Sequence, residues 1–144
     1  MGAPVARPPA PRQVPSAILP VVNCPFCSLP SARIWIDSEH AIAFAADAPV
    51  AEGHILVVPK EHVPSIHALP MAAQRGVWAL VANVRGRLRT GLVPDGGFAI
   101  GLVDGLTAAE PVPHTVIHVV PRRAGDRVVL PACNEWLDDA GVLA

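Results

Sequence analysis

Val112-Pro-His-Thr-Val-Ile-His-Val-Val-Pro-Arg-Arg123 decides how the rest of this chain is read. Its centre, Val116 to Val120, is mostly β-branched and apolar, which predicts a buried strand. Side chains alternate along a strand, so His114, Val116 and His118 fall on one face. Two imidazoles four residues apart therefore flank a valine, a residue with no acid–base or nucleophilic chemistry.

Working outward, the preceding strand is Phe98 to Val103, entered through the turn Asp95-Gly-Gly97 and separated from the central strand by a loop, Asp104 to Pro113. Before it, Val77, Leu80, Val81, Val84 and Leu88 recur at helical spacing. Pro70 reads as the first position of that helix, and Gly91 and Pro94 close it. Lys60 to Leu69 reads as irregular or a short helix. His54 to Val58 is an apolar strand stopped by Pro59, and Ala45 to Gly53 is a loop. Arg33–Asp37 and His40–Phe44 are two short strands around the turn residues Ser38 and Glu39. The order β-β-β-α-β-β predicts an α+β fold, an antiparallel sheet with one main helix. Residues 1–20 hold six prolines and little periodicity, so they read as a disordered or extended tail ahead of a domain over 21–144.

Composition narrows the function classes. At 51% hydrophobic and 16% charged residues, the chain of 144 residues is globular and long enough for a proper core. A net charge of −1 offers no basic field for nucleic acid. The longest apolar runs, such as Ile55–Val58, are too short to span a membrane. Three cysteines, two of them in Cys24-Pro-Phe-Cys27, do not make a disulfide framework, and a reducing cytoplasm is the simpler location.

Cys-Pro-Phe-Cys has two readings. As a redox motif it would open a helix, but Ser28-Leu-Pro30 follows and no helix starts there. As a metal knuckle it supplies two thiolates for Zn²⁺ and needs two further ligands. His40, His54, His62, His67, His114 and His118 all qualify by residue type, and spacing alone does not choose among them.

From Cys24 to Arg123 the chain resembles the histidine triad (HIT) superfamily in its zinc-bearing bacterial branch. The segments that carry the resemblance are Cys-Pro-Phe-Cys, Ala43-Phe44 with Pro49, Gly53-His54-Ile-Leu-Val-Val-Pro-Lys-Glu-His62, Gly97-Phe98, Ile100-Gly101, Asp104-Gly105 and Val112 to Arg122. The resemblance implies a HIT-like fold with a five-stranded sheet, a zinc site made by Cys24, Cys27, His62 and His114, and a homodimer. Four protein ligands close the coordination sphere, as in structural zinc sites.

The same resemblance implies a nucleotidyl hydrolase or transferase, whose middle histidine attacks the α-phosphorus. Here that position is Val116. Valine has no lone pair, so the covalent route is excluded. Alignment with the family's pattern puts Ala99 and Val103 where asparagine is usual, Ala109, Glu110 and Pro111 where glycine, glutamine and a hydroxyl residue are usual, and Ala46 where an aspartate grips ribose, with Asp47 beside it. A carboxylate at Glu110 repels phosphate, and Pro111 lacks both a hydroxyl and an N–H. The expectation is a zinc-containing HIT protein whose remodelled pocket (Ala46, Asp47, Ala99, Val103, Val116) binds or non-covalently transforms a non-nucleotide small molecule, with His118, His54 or Glu110 as acid or base. The alternatives are residual or unusual nucleotide chemistry and a non-catalytic dimeric binding module.

Overall fold

A computed structural model describes residues 24–104 and 114–126. The readings of the Pro-rich segment 1–20 and of Ala109, Glu110 and Pro111 lie outside these residues.

Five strands and one long helix follow in the order β1 (Ile34–Asp37), β2 (Ala41–Ala45), β3 (Ile55–Pro59), α1 (Met71–Gly91), β4 (Gly97–Val103) and β5 (Val116–Arg122). They form one sheet, ordered β1-β2-β3-β5-β4, in which every neighbouring pair is antiparallel. β5 lies between β3 and β4, which makes those two parallel to each other. Parallel strands need a long crossover, and α1 is that crossover. The α+β expectation and the five-stranded sheet are both observed.

Alternation along β5 sorts the core into two layers. Ile117 and Val119 face α1 and pack with Ala41, Ala43, Ile55, Val57 and the helix stripe Val77, Leu80, Val81, Val84 and Leu88. Val116 faces the other way, into a second cluster with Ile42, Phe44, Leu56 and Val58. That cluster is covered by Phe26 and Leu29 of the N-terminal knuckle, with Ile34 and Ala46 at its margin. The sheet is therefore sandwiched between a helix and a knuckle, and its buried strands β2 and β3 are apolar on both faces.

Several boundaries shift. Pro70 is the residue before the helix, not its first turn: its φ of −56° and ψ of 151° are the extended geometry of a cap position. Pro59 ends β3 as a paired residue opposite Ala41 instead of stopping the strand before it, since a terminal strand residue can spare its N–H. His114 lies just ahead of β5, while Val116 and His118 sit within it. Lys60–Leu69 contains one 3₁₀ turn, Ile66–Ala68. Its entry is fixed from a distance: Asp104 accepts hydrogen bonds from the Ile66 N–H at 2.7 Å and the Ser65 hydroxyl at 3.0 Å. A β-bulge at Trp35 shifts the β1 register, so Ile34 joins the knuckle side and Ile36 the helix side.

The helix approaches the turn before β2 at Gly76, where an added Cβ would lie 2.6 Å from the His40 ring Cδ2 and 2.9 Å from its Cβ. Gly76→Ala gains helix propensity, yet is expected to destabilise the fold by about 1–3 kcal/mol through overpacking. Urea unfolding of Gly76→Ala, His40→Ala and the double variant checks this, because removing the His40 ring should recover most of the loss.

Candidate metal centre and the histidine pair

The start of β5, the end of β3 and the knuckle meet at one edge of the second core. Cys24 is buried and Cys27 exposed, on a turn closed by the Ser28 N–H donating to the Cys24 carbonyl at 3.2 Å. His62 comes from the segment after β3, and the neighbouring Val63 carbonyl accepts the Thr115 N–H at 2.8 Å, which fixes that segment against the entry to β5. The ligand atoms of Cys24, Cys27, His62 and His114 all lie within 4.8 Å of one another.

Their spacing can be tested against a metal. Tetrahedral bonds of ~2.3 Å to sulfur and ~2.0–2.1 Å to nitrogen place the ligand atoms roughly 3.3–3.8 Å apart. Observed separations are 3.4 Å from Cys24 Sγ to His114 Nδ1, 3.2 Å from Cys27 Sγ to His62 Nδ1, 3.7 Å from Cys27 Sγ to His114 Nδ1, and 3.1 Å between the two Nδ1 atoms. His114 Nε2 lies 2.9 Å from the Pro59 carbonyl, an acceptor only, so Nε2 carries the proton and donates. The Nδ1 lone pair is thereby aimed at the cluster, which is the orienting contact that metal-bound histidines have. Burial, and then the adjacent Cys24 thiol, push the Cys27 thiol up to about 11. A cation placed between the sulfurs would reverse that penalty. The donor set fits a four-coordinate ion and leaves no open position.

A second pair of imidazoles lies on the same sheet face. His118 is half-buried and sits opposite Leu56 on β3 and Gly101 on β4. His54 is 2% exposed and immediately precedes β3. The Val50 N–H donates to His54 Nδ1 at 3.2 Å, so His54 is protonated at Nε2, which donates to His118 Nδ1 at 2.9 Å. His118 is then a neutral ring with its remaining N–H at Nε2. Burial, and then the neighbouring His54, lower its pKa to about 4. Burial likewise lowers that of His54.

Of the other sequence candidates, Val116 is 2% exposed within the second cluster and Ala46 packs against that cluster. Asp47 is paired with Arg33. Ala99 and Val103 pair in register with Val120 and Val116. A cavity of about 370 Å³ lies elsewhere, beside Asp95, Gly97, Phe98, Arg122, Arg123 and Asp126. The backbone groups of Pro59 and Val50, which set both histidine tautomers, carry no side-chain signal and were invisible in the residue pattern.

An antiparallel sheet with a helix on one face, and on the other a cysteine turn that meets two histidines, defines a small α+β protein with a Cys₂His₂ cluster that could hold a metal ion. The HIT domain pattern matches residues 30–125, and the chain belongs to that family. It is 33% identical over 99 residues to the nitrilase and fragile histidine triad fusion protein NitFhit of Caenorhabditis elegans, covering 69% of this chain and 22% of that protein. A HIT-like protein of Mycoplasma genitalium is 32% identical over 104 residues, covering 69% and 73% of the two chains. The structure of a Zn-bound histidine triad family protein from Mycobacterium smegmatis superposes with a TM-score of 0.64 at 32% identity, covering 76% of this chain and 82% of that one.

The low proton affinity of folded His118 has a consequence for stability. The unfolded chain takes up a proton at this group near its ordinary value of 6.5, whereas the folded chain does so only near 4. More protons are bound unfolded than folded in that window, so stability falls as pH drops from about 6.5 to about 4. The imidazole resonances of His118 should titrate near 4, and His118→Gln should flatten the acid loss measured by urea unfolding.

Proposed function

We propose that this HIT-family protein holds one structural zinc and has given up covalent nucleotidyl transfer, its former catalytic face serving a non-nucleotide small molecule through His118. The observation that carries this reading is the contrast along β5. Val116, at the position the family pattern gives to the nucleophile, is buried among Ile42, Phe44, Leu56 and Val58, while His118, two residues on, keeps a complete hydrogen-bonded relay with His54. A buried isopropyl group offers nothing to phosphorus, and Ala99 in place of asparagine removes a phosphate-binding amide. What remains is a neutral N–H donor and its buried partner, suited to hydrogen bonding or general acid–base work on an uncharged ligand. Zinc is favoured over other ions by thiolate and imidazole donors gathered within 4.8 Å of one another, and by the Zn-bound M. smegmatis relative. Free thiols serving as ligands also suit a reducing cytoplasm.

A second reading, a dimeric binding module, is favoured by one surface. No helix among the described residues is long and apolar enough to cross a membrane, yet Met71 and Trp78 are exposed on one stripe of α1 with Arg85, whose guanidinium lies 5.3 Å over the Phe98 ring of β4. Ile100 and Leu102 continue the Phe98 side of that edge strand and are exposed as well. An apolar patch on an open sheet edge fits pairing with a second copy.

Two outcomes test the first reading. Elemental analysis of the purified chain should give about one zinc per chain, and His114→Ala or Cys24→Ser should lose it. Val116→His should not restore hydrolysis of nucleoside phosphoramidates or dinucleoside polyphosphates, because Ala99 and the other replaced positions also belong to the lost phosphate site. Release of nucleoside monophosphate by the unaltered chain at an ordinary enzymatic rate, ~1 s⁻¹ or more, would overturn the reading.

A further inference from the structure

The two cysteines of the knuckle are separated by Pro25 and Phe26, and Phe26 occupies an uncommon position between two sites. Its ring meets the edge of the His114 imidazole at a centroid distance of 5.6 Å and an interplanar angle of 77°. On its other side it meets Phe44 of β2 at 5.8 Å and 42°. His114 is one of the four residues of the metal cluster, and Phe44 is a floor residue of the second core, where Val116 is buried. Phe26 therefore touches the metal centre and the former catalytic face at once.

We infer that Phe26 is a positioning residue that couples zinc occupancy to the packing around Val116, so that the metal closes the knuckle over this sheet face and its loss loosens it. The inference rests on the zinc reading of the Cys₂His₂ cluster.

The mechanics follow from how the knuckle is held. Its backbone bonds, Ser28 to Cys24 and Arg33 to Pro30, are local and do not reach the sheet. The cysteine side chains reach His62 and His114, and Phe26 and Leu29 lie on the second cluster. An ion bound by both thiolates and both imidazoles turns weak thiol contacts into bonds and fixes the turn at both ends of the Cys-x-x-Cys segment. With those ends fixed, Phe26 loses little further freedom on packing, so the ring and the metal favour the same arrangement. Coupling of this kind is reciprocal: if zinc tightens the cluster through Phe26, removing the ring must weaken zinc binding. The opposite face of the sheet has its own cover in α1, with Val77, Val84, Ile117 and Val119 in a separate cluster. The effect should therefore stop at the sheet.

Methyl NMR on the full-length chain reads both faces, with bound zinc measured in parallel. In the unaltered protein, zinc removal by a chelator should shift and broaden the methyl signals of Ile42, Leu56, Val58 and Val116, while those of Val77, Val84 and Val119 stay in place. Phe26→Ala should still load about one zinc, with about tenfold weaker affinity in chelator competition, and its knuckle-side methyls should no longer respond to the metal. Phe26→Leu, which restores apolar bulk, should regain most of the response. The inference is overturned if knuckle-side methyls ignore zinc in the unaltered chain, if both faces respond equally, or if Phe26→Ala responds as the unaltered chain does. Absence of zinc from the unaltered chain would instead defeat the metal reading itself, and elemental analysis shows that directly.

Discussion

Four side-chain atoms from three separate parts of the chain converge within 4.8 Å of one another. They have no other feature in common: two thiols on an N-terminal turn, one imidazole after β3 and one before β5. Left to themselves, two neighbouring sulfurs and two imidazole lone pairs are poor neighbours, and the raised pKa of Cys27 expresses that. A divalent ion makes the same arrangement favourable. The same turn carries Phe26 and Leu29, which pack on the second core. Among the described residues, the five short strands have two apolar faces and one long helix, which covers the first. The cysteine-bearing turn lies over the second.

The two histidine systems divide the work along β5. His114 has its proton fixed at Nε2 by the Pro59 carbonyl, and His118 has its Nδ1 occupied by His54. Each ring has one nitrogen left, one as a lone pair and the other as a donor. Residues of the same type, four apart on one stretch, are thus committed to different chemistry by their hydrogen-bond partners, a backbone carbonyl for one and a second imidazole for the other. Val116 between them contributes packing to the layer beneath the knuckle.

Much of this was legible in the residues. Alternation in β5 separated Val116 and His118 from Ile117 and Val119, and the helical stripe of α1 matched the buried set Val77, Leu80, Val81, Val84 and Leu88. The family pattern selected His62 and His114 from six histidines, a choice that spacing could not make. Boundaries were less legible where proline was involved. Pro59 and Pro70 each proved compatible with a position one residue away from the one expected, because a missing N–H costs nothing at an element's end. The Trp35 bulge was hidden as well, since Ile-Trp-Ile reads as plain alternation until the partner strand shows that Ile34 and Ile36 face opposite sides. The Val50 and Pro59 contacts use main-chain atoms, which every residue has and no sequence displays.

The Trp35 bulge also bears on assembly. A sheet with two flat, open edges can add copies at both ends and grow without limit. Here β1 is four residues long and kinked at its middle, whereas β4 is seven residues long and runs in continuous register with β5. Among the described strands, β4 is the one edge with a long unbroken register. A sheet with one such edge could close a two-fold pair and would not extend into a fibre.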